Sequence, residues 1–113
     1  MTGMNVSVKE MNRTNLLVVE GRVDSVTAPD LGEALNAQID RGKKNLVIDL
    51  SGVDYMSSAG LRELVTALKR VKSVGGDVRI AAPSERVREV LELAGLDSIF
   101  KVYDDQVGAV GSY

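Results

Sequence analysis

The sequence predicts an α/β domain: an open mixed sheet with an antiparallel hairpin at one edge and parallel strands in its core, packed by three to four helices. Three observations carry this. Two short strand-like runs near the start are joined by a polar connection of four residues. Strand-like and helix-like segments then alternate to the end of the chain. The two prolines, Pro29 and Pro83, both sit where helices should begin. With 113 residues, 44% of them hydrophobic, the chain holds one core and not two. We therefore expect a single domain over residues 1–113, with a flexible start at 1–3 and a weakly ordered tail at 104–113.

Met4 to Met11 alternates, with Met4, Val6 and Val8 on one side and Asn5, Ser7 and Lys9 on the other, as a half-buried strand does. Asn12 to Asn15 is a polar turn. Leu16 to Glu20 forms the second strand and Gly21 closes it. After a loop, Thr27 stands as N-cap with Pro29 in the first turn, and helix one runs from about Pro29 to Arg41, its apolar face made by Leu31, Ala34, Leu35 and Ile39. Gly42 ends it, and Lys43 and Lys44 suit the negative end of its dipole. Asn45 to Leu50 is a near-continuous apolar strand, which predicts burial on both faces and a central place in the sheet.

Ser51 to Ser57 reads as a loop. Helix two runs from about Ser58 to Val74, with Leu61, Leu64, Val65, Leu68 and Val71 inward. Its basic cluster, Lys69, Arg70 and Lys72, reads as the solvated face. Gly75-Gly76 stops it, and Asp77 to Ala82 is a further strand. Ser84 caps helix three, which ends near Ala94 and Gly95, and Leu96 to Tyr103 supplies a short last strand. The order is β-β-α-β-α-β-α-β. The crossover from Asn45 to Ala82 must be right-handed, so its strands are parallel.

Composition removes several functions. There is no Cys and no His, which excludes a disulfide framework, thiolate or imidazole metal sites, a Cys nucleophile and Ser-His-Asp catalysis. Fourteen Lys and Arg against sixteen Asp and Glu leave a net charge of −2, without the overall electrostatic footprint of most nucleic-acid binders. No apolar run nears the roughly 20 residues that span a bilayer, and Met1 to Lys9 has no signal-peptide core. The expectation is a cytoplasmic protein with no direct membrane insertion. No Gly-x-Ser-x-Gly elbow exists, no lysine lies near Ser58, and Gly75-Gly76-Asp77 lacks the Gly-Lys-Ser/Thr of a phosphate loop. A phospho-accepting Asp49 would need an acidic pair for magnesium, which is missing. The expectation is no enzyme, no cofactor and no metal.

In open α/β sheets, function gathers at the carboxyl ends of strands. Here that place is Asp49 to Gly60, Asp-Leu-Ser-Gly-Val-Asp-Tyr-Met-Ser-Ser-Ala-Gly, which enters helix two at Ser57-Ser58. A serine there has two readings: an N-cap whose hydroxyl accepts from an early amide, or a modifiable hydroxyl at a positive helix end. Asp24 likewise reads as an Asx-turn residue or a docking acid. Asp49 and Asp54 flank the same rim as strand-end or turn acids, Met56 as core filling beneath the loop, and Arg62 as solvated surface or a partner contact.

The segment Asp49 to Leu61 resembles the signature of STAS domains, the family of bacterial anti-sigma factor antagonists. The resemblance covers nearly the whole chain, including Gly21-Arg-Val-Asp24, the Gly75-Gly76 stop and Ala94-Gly-Leu-Asp-Ser-Ile-Phe100. The family motif reads Asp-Ser-Ser-Gly or Asp-Ser-Thr-Gly, its first serine being the phosphate acceptor. Anchored on Gly60 and Leu61, the resemblance implies Ser58 as acceptor, with Ser57 as the alternate. Ser57 then stands where the family has aspartate, and Ala59 where it has a hydroxyl residue. It implies partner-binding roles for Asp24, Ser57, Ser58, Ala59, Gly60 and Arg62. The implied partners are an anti-sigma factor that is also a serine kinase of the ATPase-kinase type, and a serine phosphatase. The unmodified protein would bind the kinase and release its client, and phosphorylation would abolish binding. A second role within the family is a subunit of a lipid-transport complex or a scaffold of a stress-sensing assembly.

Overall fold

Parallel strands joined in sequence by single helices place those helices on one face of the sheet, because each crossover has the same hand. The computed structural model, which describes residues 3–11 and 13–113, shows this arrangement. Five strands, β1 (Met4–Glu10), β2 (Asn15–Val23), β3 (Asn45–Met56), β4 (Asp77–Ala81) and β5 (Lys101–Tyr103), lie side by side in that order. β1 and β2 form the antiparallel edge hairpin, and every other neighbouring pair is parallel. Four helices accompany them: α1 (Ala28–Asp40), α2 (Ser58–Lys72), α3 (Glu85–Leu93) and α4 (Gln106–Gly111), with one 3-10 turn at Leu96–Ser98. The expected flexible start, residues 1–3, falls largely outside the described residues.

The main core lies between the sheet and α1, α2 and α3. Leu17, Val19, Leu46, Ile48, Leu50, Val78 and Ile80 point from the strands against Leu31, Leu35, Leu64, Leu68, Val87 and Leu91. Alternate strand residues face the other way, where Leu16, Val47 and Ala81 meet Ala109 of α4. β3 is thus buried on both faces, as its apolar run predicts.

Several expectations change. Gly21 does not close β2, which runs to Val23, and of Leu96 to Tyr103 only Lys101–Tyr103 is strand, Leu96–Ser98 forming the 3-10 turn. β3 does not end at Leu50 but runs on to Met56, through residues that read as a loop. The reason is a partner: β2 continues to Val23, and two register shifts on β3 keep the pairing as far as Val23 with Met56. β4 has by then ended, which leaves Ser51, Gly52 and Asp54 exposed. Thr27 occupies the N-cap position of α1 but caps nothing with its side chain. Its hydroxyl donates to the Arg22 carbonyl at 2.9 Å and accepts from the Asp24 amide at 2.9 Å.

The tail, expected to be weakly ordered, forms α4 and closes the second face. Asp105 caps it, accepting from the Gly108 amide at 2.7 Å. The Tyr113 hydroxyl lies 2.7 Å from both the Leu46 and Asp77 carbonyls and shares its one proton between them. Arg79 stacks on the Tyr113 ring at 4.0 Å and donates to the carbonyl and hydroxyl of Ser112. These partners are distant in sequence, so no local pattern announces them.

Candidate protein-docking site

β2 and β3 end together, and their ends build one rim. The Ser57 amide donates to the Val23 carbonyl at 2.8 Å, so the start of α2 is fixed to the loop that follows β2. Gly60 lies against this junction. A Cβ there would collide with Met56 Sδ and Val23 Cγ1, so only glycine lets the first turn of α2 sit so close to the strand ends. Met56 and Val23 are buried, as core beneath the rim.

The two serines divide the two readings of the motif between them. Ser57 is the N-cap, in extended conformation (φ −88°, ψ 171°), and its hydroxyl accepts from the Gly60 amide at 3.4 Å. Ser58 is the first helical residue, exposed, and its side chain makes no hydrogen bond among the described residues. The amides of the first helical positions have no acceptor within the helix, so the Ser58 hydroxyl stands at the positive end of a 15-residue helix. Ala59 is half-buried beside it. Arg62, one turn on, is exposed, and no acidic side chain lies within ion-pair distance of it among the described residues.

Asp24 closes its own loop. Its Oδ1 accepts from the Val26 amide at 2.9 Å and the Thr27 amide at 3.1 Å, and its Oδ2 accepts from Arg22 Nε at 3.1 Å. The Thr27 amide chiefly, then the Val26 amide, Arg22 and the Thr27 hydroxyl, outweigh partial burial and hold the carboxyl below its usual range. Arg22 in turn stacks on the Tyr55 ring, 4.1 Å from its centre. The loop is therefore a braced structure, and the Asp24 side chain keeps 28% exposure. Asp54 is an exposed acid of the rim. Asp49 is not on the rim: it is 4% exposed and faces α4, accepting from Ser51 N at 2.8 Å and from the Gln106 amide.

Val26, which no periodic pattern marks, is 81% exposed at the tip of the same loop. Its position two residues after an Asx-type acid, outside any strand or helix, was the available signal.

A mixed five-strand sheet with three helices on one face, a fourth on the other and a serine-bearing rim at the strand ends defines a class of domain. The sequence model of the STAS domain matches residues 5–109, and the chain belongs to the STAS family. It is similar to proteins described as anti-sigma factor antagonists. BtrV of Bordetella bronchiseptica, a candidate anti-sigma factor antagonist by its name, is 33% identical over 110 residues, 97% of this chain and 95% of that protein. The anti-sigma-B factor antagonist of Bacillus subtilis is 33% identical over 107 residues, 95% of this chain and 97% of that one. The crystal structure of an anti-sigma factor antagonist from Mycobacterium paratuberculosis superposes with a TM-score of 0.89 at 28% identity, covering 96% of this chain and 92% of the other. No helix among the described residues is long and apolar enough to cross a membrane.

Proposed function

We propose that this protein is an anti-sigma factor antagonist that works by partner switching. The unmodified chain docks on an anti-sigma factor that is also a serine kinase of the ATPase-kinase type and thereby releases that factor's client. Transfer of the γ-phosphoryl group of ATP to Ser58 abolishes docking, and a serine phosphatase restores it. In the transfer the Ser58 oxygen forms a bond to phosphorus, the bond to ADP breaks, and the hydroxyl proton passes to a base of the kinase.

The observation that carries this reading is the contrast between the two serines. The Ser57 hydroxyl is occupied as a cap, whereas that of Ser58 is exposed at the helix start and makes no hydrogen bond among the described residues. A phosphate there adds about −1.5 to −2 charges. The helix dipole and uncommitted amides favour it in the isolated domain, so the fold persists. In a docked interface the same charge must be desolvated or face partner acids, at a cost of several kcal/mol. At about 1.4 kcal/mol per tenfold, affinity collapses without a change of shape.

The docking face in this reading comprises Asp24, Ser57, Ser58, Ala59 and Arg62, with buried Gly60 beneath it and Val26 as an added apolar contact. Asp24 braces the loop and offers its remaining exposed edge; Gly60 sets the helix close to the strands; Arg62 supplies a cation with no acid in ion-pair distance among the described residues. Incubation with the cognate kinase and ATP, followed by intact-mass measurement, should show a single phosphate gain that Ser58→Ala removes and Ser57→Ala does not. Retention of the gain in Ser58→Ala overturns the acceptor assignment. Failure of the unmodified chain to bind any kinase of this type overturns the partner-switching reading.

A further inference from the structure

The near-zero net charge conceals a segregation. Eight of the fourteen Lys and Arg fall within residues 9–13, 40–44 and 69–77, with only three of the sixteen acids. This set carries +5, and the rest of the chain −7. The three segments are the β1–β2 turn, the connection from α1 to β3, and the end of α2 with its turn into β4, so they meet at the amino-terminal ends of the parallel strands. Ser58 lies at the opposite end of α2 and of the sheet.

The ends of α1 and α2 attract cations by their dipoles, which accounts for Arg70 and Lys72. It does not account for the whole patch. Lys9 and Arg13 belong to the hairpin, and Lys44 lies beyond α1. None of these three has an acid within ion-pair distance among the described residues; the recorded pairs join Arg41 and Lys43 to Glu10, Arg70 to Asp40 and Lys72 to Asp77.

Two exposed aliphatic side chains are set among these cations, Met11 at 38% and Val74 at 57% exposure. They lie on one continuous surface. Lys43 and Lys44 line both a cleft that holds Val74 and Arg70 and the adjoining cleft that holds Met11 and Arg13.

We propose that this edge adsorbs to an anionic phospholipid bilayer, lying on the headgroups without spanning the membrane. Clustered cations are drawn to the negative surface potential, and interspersed aliphatic groups gain by entering the boundary between headgroups and acyl chains. A polynucleotide would use the cations but have no need of Met11 and Val74, and an acidic protein partner would leave phospholipid vesicles unbound in the test below. Adsorption by this edge turns the Ser58 rim away from the bilayer and leaves it accessible. The proposal does not rest on the phosphorylation of Ser58, and the test below reads neither serine.

The test is flotation of the full chain with large unilamellar vesicles of phosphatidylcholine containing about 30 mol% phosphatidylglycerol, against phosphatidylcholine alone. Binding is expected to the anionic vesicles only, and to fall steeply between about 0.05 M and 0.5 M salt. Each cation near such a surface is worth about fivefold in partitioning, so Lys43→Glu with Lys44→Glu should lower binding by more than about tenfold while circular dichroism is unchanged. Met11→Ser with Val74→Ser should lower it severalfold at fixed salt. Equal binding to neutral vesicles, no binding at low salt, or full binding after the charge reversal overturns the proposal. If the serine pair has no effect, the edge is a generic polyanion surface and the bilayer assignment is wrong.

Discussion

The carbonyl of Val23 accepts the amide of Ser57 at 2.8 Å, and this bond joins the loop carrying Asp24 and Val26 to the first turn of α2. Two segments more than thirty residues apart thereby form one surface. Because the loop is also braced by Asp24 onto the amides of Val26 and Thr27, the face is preformed, and in the proposed reading a docking partner would lose little to ordering it.

The two adjacent serines should separate in stability as well as in modification. Ser57→Ala removes the cap of α2 and should cost about 0.5–1 kcal/mol in urea unfolding. Ser58→Ala removes no hydrogen bond and should stay within about 0.5 kcal/mol of the parent. Ser58→Glu should keep a native circular dichroism spectrum while kinase binding drops; loss of the fold would make Ser58 a structural residue.

Val26 gives a test of the face that does not touch the hydroxyls. Val26→Asp should lower affinity for the unmodified-state partner by at least about tenfold, since it places a charge in a desolvated contact. Its 81% exposure predicts a thermal midpoint within about 2 °C of the parent. Unchanged affinity by titration calorimetry would remove Val26 from the interface.

Asp24 should shape the acid limb of stability. Its folded-state pKa lies below the ordinary 3.8, so the stability it contributes is complete well above pH 3.8 and is lost as pH falls through the lower folded value. Asp77 acts in the same direction: burial raises its pKa, but Arg79 and Lys72 outweigh this and hold it low. Asp24→Asn should therefore flatten the decline of stability below about pH 4 without abolishing it. An unchanged slope in urea titrations across that range would contradict the bracing role.

Tyr113 is expected to hold α4 on the sheet. Tyr113→Phe removes the proton shared by the Leu46 and Asp77 carbonyls and should cost about 1–2 kcal/mol. Faster amide hydrogen exchange should then appear in α4 and at the beginnings of β3 and β4, while the start of α2 is unaffected. Uniform destabilisation across the sheet would argue against a local latch.

The order of elements, the edge hairpin, the central place of β3 and the position of α2 are written in local patterns: alternation at Met4 to Val8, the unbroken apolar run of Leu46 to Leu50, the helical spacing of Leu61, Leu64 and Leu68. The serine motif is legible for the same reason, since it is contiguous. What tertiary structure alone decides is which groups meet. Ser51 to Met56 looks like a loop until β2 supplies a pairing partner. Asp49 looks like a rim acid until α4 covers it. The tail looks weak until Tyr113 meets the Leu46 and Asp77 carbonyls and the Arg79 side chain, on strands far away in sequence. The choice of Ser57 as cap and Ser58 as the exposed hydroxyl also waited on the fold, because one residue of helical phase sets which side chain turns back to an amide and which faces solvent. Periodicity records how a segment divides its own faces; it holds no information on long-range pairings, whose bonds form only when the chain has brought both sides together.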